Sequence, residues 1–80
     1  MTLSDFARVE WADRVLGDRI AMRSALLPKL AGDEEAKIKA ERSAIVQVRK
    51  NLYLLNTDEI EALIAAQLKE LESDNLNLII

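Results

Sequence analysis

Eighty residues, half of them apolar and many of those alanine, make at most one domain with a small core, too apolar for a disordered tail and marginal without a staple. The absence of Cys and His excludes disulfides and the soft zinc ligands, and with them the commonest general base and thiol nucleophile. The net charge of -3 is uneven: ten Lys or Arg stand against eight acids up to Asn56, and one Lys against six acids from Thr57 onward, which argues against nucleic acid while leaving room for a local basic face.

The first helix is expected over about residues 4–30. Ser4 reads as its N-cap and Asp5 as an acid in the first turn, where backbone N–H groups lack partners and the helix dipole is positive. Its apolar positions are Phe6, Val9, Ala12, Val15, Leu16, Ile20, Met22, Leu26, Leu27 and Leu30, with Trp11 on the edge. They span well over half the circumference, wider than the roughly 100° stripe of a helix buried on one side. Contact from two directions follows. Gly17 costs about 1 kcal/mol relative to Ala in this setting. Pro28 should end the helix near Leu26 or kink it before Leu30, and Ala31 with Gly32 forms the turn.

The second helix is expected over about residues 33–56, with Asp33, Glu34 and Glu35 as cap and acidic first turn. Ile38, Ala44, Ile45, Val48, Leu52 and Leu55 form its core stripe, and Glu41 lies in the middle of them. In an antiparallel hairpin turning at Ala31 and Gly32, facing residues have numbers adding to about 64, which sets Glu41 opposite Arg23 and within one turn of Arg19. Arg19 and Arg23 themselves interrupt the apolar surface of the first helix. A structural ion pair of Arg19, Arg23 and Glu41 is therefore expected, because an unpaired desolvated charge costs several kcal/mol. The competing reading makes the arginines a site for a partner's carboxylate or phosphate.

The third helix is expected over about residues 57–73, with Thr57 as N-cap followed by Asp58 and Glu59. Ile60, Leu63, Ile64, Gln67, Leu68 and Leu71 form its apolar side. Residues 74–80 remain as an apolar tail. The fold class is all-α: an antiparallel helical hairpin plus a third, shorter helix, completed as a dimeric bundle. Residues 1–80 are read as a single helical domain.

Two surfaces carry the functional expectations. An edge of the first helix, Trp11, Val15, Met22 and Leu26, pairs a large ring with a flexible thioether as interfaces do, and the tail residues Leu76, Leu78, Ile79 and Ile80 either enter a partner's groove or fold back on their own bundle. Both point to another protein as partner. On the second helix Lys39, Arg42, Arg49 and Lys50 share an arc with Tyr53, a minimal pattern for phosphate contacts beside a stacking ring. The preferred reading of the strip is a solvated face beside the acidic third helix, with Glu70, Glu72 or Asp74 within reach of Arg42 and Lys39.

No catalytic constellation, cofactor motif or metal-ligand spacing is present in the sequence. The first nine residues lack a basic and then apolar leader, and no apolar run approaches the roughly 20 residues of a membrane span, so a cytoplasmic protein without a membrane role is expected. The plan resembles that of small helical-hairpin proteins acting as inhibitors, antiactivators or co-chaperones, a likeness of architecture that transfers no residue role. The expected function is a non-catalytic module that binds another protein and modulates its activity or assembly. The alternative is a small dimeric nucleic-acid-binding regulator using the basic strip.

Overall fold

The computed structural model describes residues 3–78, with side-chain burial described for residues 5–77. Three α-helices, α1 (Leu3–Leu26), α2 (Asp33–Lys50) and α3 (Thr57–Leu78), are linked through short 3-10 turns at Leu27–Lys29 and Leu52–Leu54. The architecture is an all-α three-helix bundle. The tail residues Ile79 and Ile80 lie outside the described residues.

α1 and α2 form an antiparallel hairpin in the expected register. Arg49 bonds Asp13, Arg23 bonds Glu41 and Arg42 bonds Ser24, all pairs whose numbers add to about 64. α3 then returns parallel to α1: Thr57 donates to Asp5 at 2.7 Å and Arg8 meets Glu61 at 3.1 Å near their starts, while Asp74 reaches Arg19 and Arg23 near their ends. α1 packs along both neighbours, whereas α2 and α3 approach each other almost nowhere. α1 is thus the spine of a rod 44 × 21 × 15 Å that stays open along one side. The double packing explains the wide apolar surface of α1.

The core is wholly aliphatic. Val9, Ala12 and Leu16 from α1, Ile45 from α2, Leu52 from the second turn and Ile60 from α3 make one cluster, flanked by Ile20, Val48, Leu55, Leu63 and Ile64. Burying a Val, Leu or Ile side chain of this kind contributes about 1.5–3 kcal/mol. All α3 members come from its first half, so the cluster sits at the end of the rod where α1 and α3 begin.

Helix ends differ from the sequence expectation in ways that local chemistry explains. α1 is helical from Leu3, so Ser4 is a helical residue whose side chain lies outside the described ones, and it stops at Leu26, where Pro28 converts the chain to a 3-10 turn. α2 is preceded by Gly32 at φ 66° without a side-chain cap, a left-handed backbone that suits Gly, so Asp33 is the first helical residue and not the cap. It ends at Lys50 rather than near residue 56. Asn51 donates its N–H back to Gln47 and Val48, and the tighter turn that follows drives Leu52 fully into the core.

α3 is capped by Asn56 instead of Thr57. The Glu59 N–H donates to Asn56 Oδ1 at 2.9 Å and the Asn56 N–H donates to Glu59 Oε1 at 3.4 Å, a reciprocal capping box that frees the Thr57 hydroxyl to reach Asp5. At its other end α3 continues past Ser73 to Leu78, taking up residues assigned to the tail. No Gly or Pro interrupts that stretch, and Asp74 is anchored by α1.

Candidate functional site

Arg19 and Arg23 lie on successive turns of α1, and the helix that α1 buries them under is α3. Asp74, Arg19 and Arg23 are 6%, 7% and 4% exposed. Arg23 forks onto Asp74 with Nη1 to Oδ2 at 2.8 Å and Nη2 to Oδ1 at 2.9 Å, while Arg19 Nε donates to the same Oδ2 at 2.8 Å. Arg19 also donates Nη1 to Gln67 Oε1 and Arg23 donates to the Arg19 carbonyl. No buried side-chain nitrogen or oxygen is left without a partner among the described residues. The bidentate geometry is the strong form of a carboxylate–guanidinium contact.

Glu41 does meet Arg23, at 3.4 Å, as the register implies, but it is a half-exposed second acid. The principal acid is Asp74, which the sequence reading placed near Arg42 and Lys39. Asp74 follows Gln67 by seven residues and Leu71 by three, so it continues the inner arc of α3; that spacing was the available signal, hidden by ending the helix at Ser73. Burial pushes its carboxyl up, and the hydrogen bonds and charges of Arg23 and Arg19 outweigh this to hold it below the ordinary carboxylate value. Arg23 is held above its ordinary value, chiefly by its bond to Asp74.

The basic strip is largely balanced by acids of the same chain. Lys39 pairs with Glu35 at 2.9 Å and Arg49 with Asp13 at 2.6 Å, while Arg42 bonds the Ser24 hydroxyl. Lys50 is exposed and has no ion pair among the described residues. Tyr53 sits beyond the strip on the second turn. Gly17 lies beneath the Arg49 guanidinium, 3.6 Å from where a Cβ would be. That is ordinary contact, so no close helix approach requires this glycine.

The apolar edge of α1 is divided. Trp11 is exposed and Met22 and Leu26 are half-buried, but Val15 is buried within the chain and is no part of a free surface. It lies nearer the centre of the helix's inner arc than Trp11 and Met22 do. Leu76 is exposed on α3. Three further apolar residues join the surface: Phe6 of α1 and Leu68 of α3, both on faces expected to be covered, and Leu54. Phe6 and Tyr53 line a recess of about 430 Å³ with Glu10, Asp13 and Arg14. Phe6 had looked like a core residue because its helix is apolar on nearly all sides.

A second depression of about 360 Å³ runs between α2 and α3, with Arg19 and Arg23 at its base. Ala44, assigned by spacing to the core stripe, is exposed on its α2 wall. No group of acids that could hold a metal ion occurs among the described residues, and no helix there is long and apolar enough to cross a membrane. No protein-family model, curated protein or solved structure matches the chain.

Proposed function

We propose that this protein is a non-catalytic, dimeric protein-binding module that modulates the activity or assembly of its target. The observation carrying this reading is the placement of the aromatic residues. The chain has one Phe, one Trp and one Tyr, and all three are exposed, by 47%, 42% and 65%, around a core built without them. Aromatic rings normally supply much of a core's buried area, and rings left outside, with Met and Leu beside them, are the residues that anchor interfaces.

Two surfaces serve two roles. Trp11 and Met22 are eleven residues apart, about three turns, and so lie along one line of α1; this edge joins two copies. Phe6, Tyr53 and Leu54 at the end of the rod take the target. Support for protein over nucleic acid comes from the internal pairing of Lys39 and Arg49, which reduces the positive field available to phosphates.

The test is a set of single substitutions read against fold. Trp11→Ser is expected to turn a sedimenting dimer into a monomer, and Phe6→Ser or Tyr53→Ser to abolish cross-linking to the target in extracts, each with a near-native melting temperature. Salt-sensitive binding to a random duplex, lost in Arg42→Glu and Arg49→Glu, would overturn the reading in favour of a nucleic-acid regulator.

A further inference from the structure

We infer that the open groove between α2 and α3 receives a basic amphipathic helix from a partner protein. The inference rests on the chain being a protein-binding module and gives it a surface separate from its aromatic residues. The groove exists because both neighbours pack along α1 and meet each other hardly at all beyond the shared aliphatic cluster. A fourth helix laid there would meet α2 and α3 together and convert the open arrangement into a four-helix bundle. Ala44 and Val48, one turn apart, form an apolar wall on α2, and Gln67 and Glu70 face it from α3. The occupant therefore needs an apolar stripe of its own.

Charge sets the rest of its chemistry. The groove is lined by two carboxylates, Glu41 and Glu70, and two guanidiniums, and both guanidiniums are buried with their shortest ion pairs, at 2.8 Å, to Asp74 behind them. Glu41 and Glu70 rise on opposite walls with side chains 38% and 60% exposed, and their nearest arginine nitrogens are 3.4 and 3.9 Å away. An incoming helix meets these two acids before it reaches the arginines. The charged groups that an incoming helix reaches first are acceptors, so Lys or Arg beside an apolar stripe fits there better than a phosphate or an acidic peptide. The α3 helix of a second copy fits poorly, because six acids stand on it against one Lys.

The probe is a synthetic helix of about 16 residues, long enough for four turns, with Leu at i, i+3, i+4 and i+7 and Lys elsewhere; its twin carries Glu for Lys. Titrated into the intact protein and followed by amide chemical shifts, the Lys peptide is expected to move Ala44, Val48, Gln67 and Glu70, and the Glu peptide to bind nowhere. Glu41→Gln with Glu70→Gln should weaken binding about tenfold, while Asp18→Asn with Glu72→Gln, an equal charge change away from the groove, should leave it unaltered. Ala44→Phe should block binding by filling the groove, with circular dichroism reporting whether the fold persists.

Equal weakening by the two charge pairs would overturn the inference, as would shifts gathered around Phe6 and Tyr53. The second outcome leaves the protein-binding reading intact and removes only the groove. Dissociation of a dimer by Ala44→Phe would also overturn it, assigning the groove to a second copy. Groove binding that survives beside unaltered target capture in the Phe6 and Tyr53 variants would instead remove the aromatic surface and keep the groove.

Discussion

Where α1 and α3 begin they share an aliphatic cluster, Val9, Ala12 and Leu16 together with Ile60, whereas where they end they are joined by Arg19 and Arg23 clasping one Asp74. The first attachment is non-directional and tolerates exchange of one aliphatic residue for another of similar volume. The second is directional and depends on Asp74, since without it the two buried guanidiniums keep only longer or neutral partners, Glu41 at 3.4 Å for Arg23 and Gln67 with Glu70 at 3.9 Å for Arg19. Apolar burial thus holds one half of α3, and polar contacts centred on one buried carboxylate hold the other half over two cations.

The sharpest way to break this contrast is Asp74→Ala. It should cost about 3 kcal/mol by removing the shortest ion pairs of two buried arginines, and hydrogen exchange should show the end of α3 opening before its start. Replacing all three as Arg19→Met, Arg23→Leu and Asp74→Leu should restore most of that loss, since no unpaired charge then remains. A denaturation midpoint in Asp74→Ala close to that of the unmodified chain would show the cluster to be incidental.

Acid should act on the same end. The Asp74 carboxyl lies below its ordinary value of 3.8 in the folded chain, so its contribution is complete above that value and is lost as pH falls through the lower folded value. Asp13, lowered mainly by its bond from Arg49, has the same sign but is an exposed pair and contributes less. Stability measured below about pH 4 should therefore fall in the unmodified chain and fall less in Asp74→Asn.

At the apolar end Leu52→Ala should cost about 3 kcal/mol, and here the loss should be global, with all amides exchanging together in native-state exchange. Asn56→Ala removes one arm of the capping box and should cost about 1 kcal/mol. Gly17→Ala is the smallest effect and has the opposite sign. The space above Gly17 accepts a methyl group in ordinary contact with Arg49, so helix propensity should raise stability by about 0.5–1 kcal/mol in urea unfolding.

Much of this architecture was legible in the residues. Apolar spacing distinguished three helices, Pro28 and Gly32 marked the first turn, and the width of the apolar surface on α1 required two neighbours. The hairpin register followed from the turn at Ala31 and Gly32, which sets Arg23 opposite Glu41. The candidate surfaces were less legible. Phe6 was indistinguishable from its core neighbours, because a helix apolar on most sides does not say which residues its two partners leave uncovered, and Val15 looked free for the same reason.

The sequence by itself determined the number and order of the helices and the pairing of α1 with α2, because both depend on local periodicity and a short connection. Only the tertiary structure decided which acid neutralises the arginines and where the bundle stays open. Those outcomes depend on how α3 lies along α1, some fifty residues away in the chain, and no local pattern encodes that distance. The parallel course of α3 brings Asp74, rather than Glu41, over Arg19 and Arg23, and the same course leaves the wall of Ala44 and Val48 facing Glu70 across an unfilled groove.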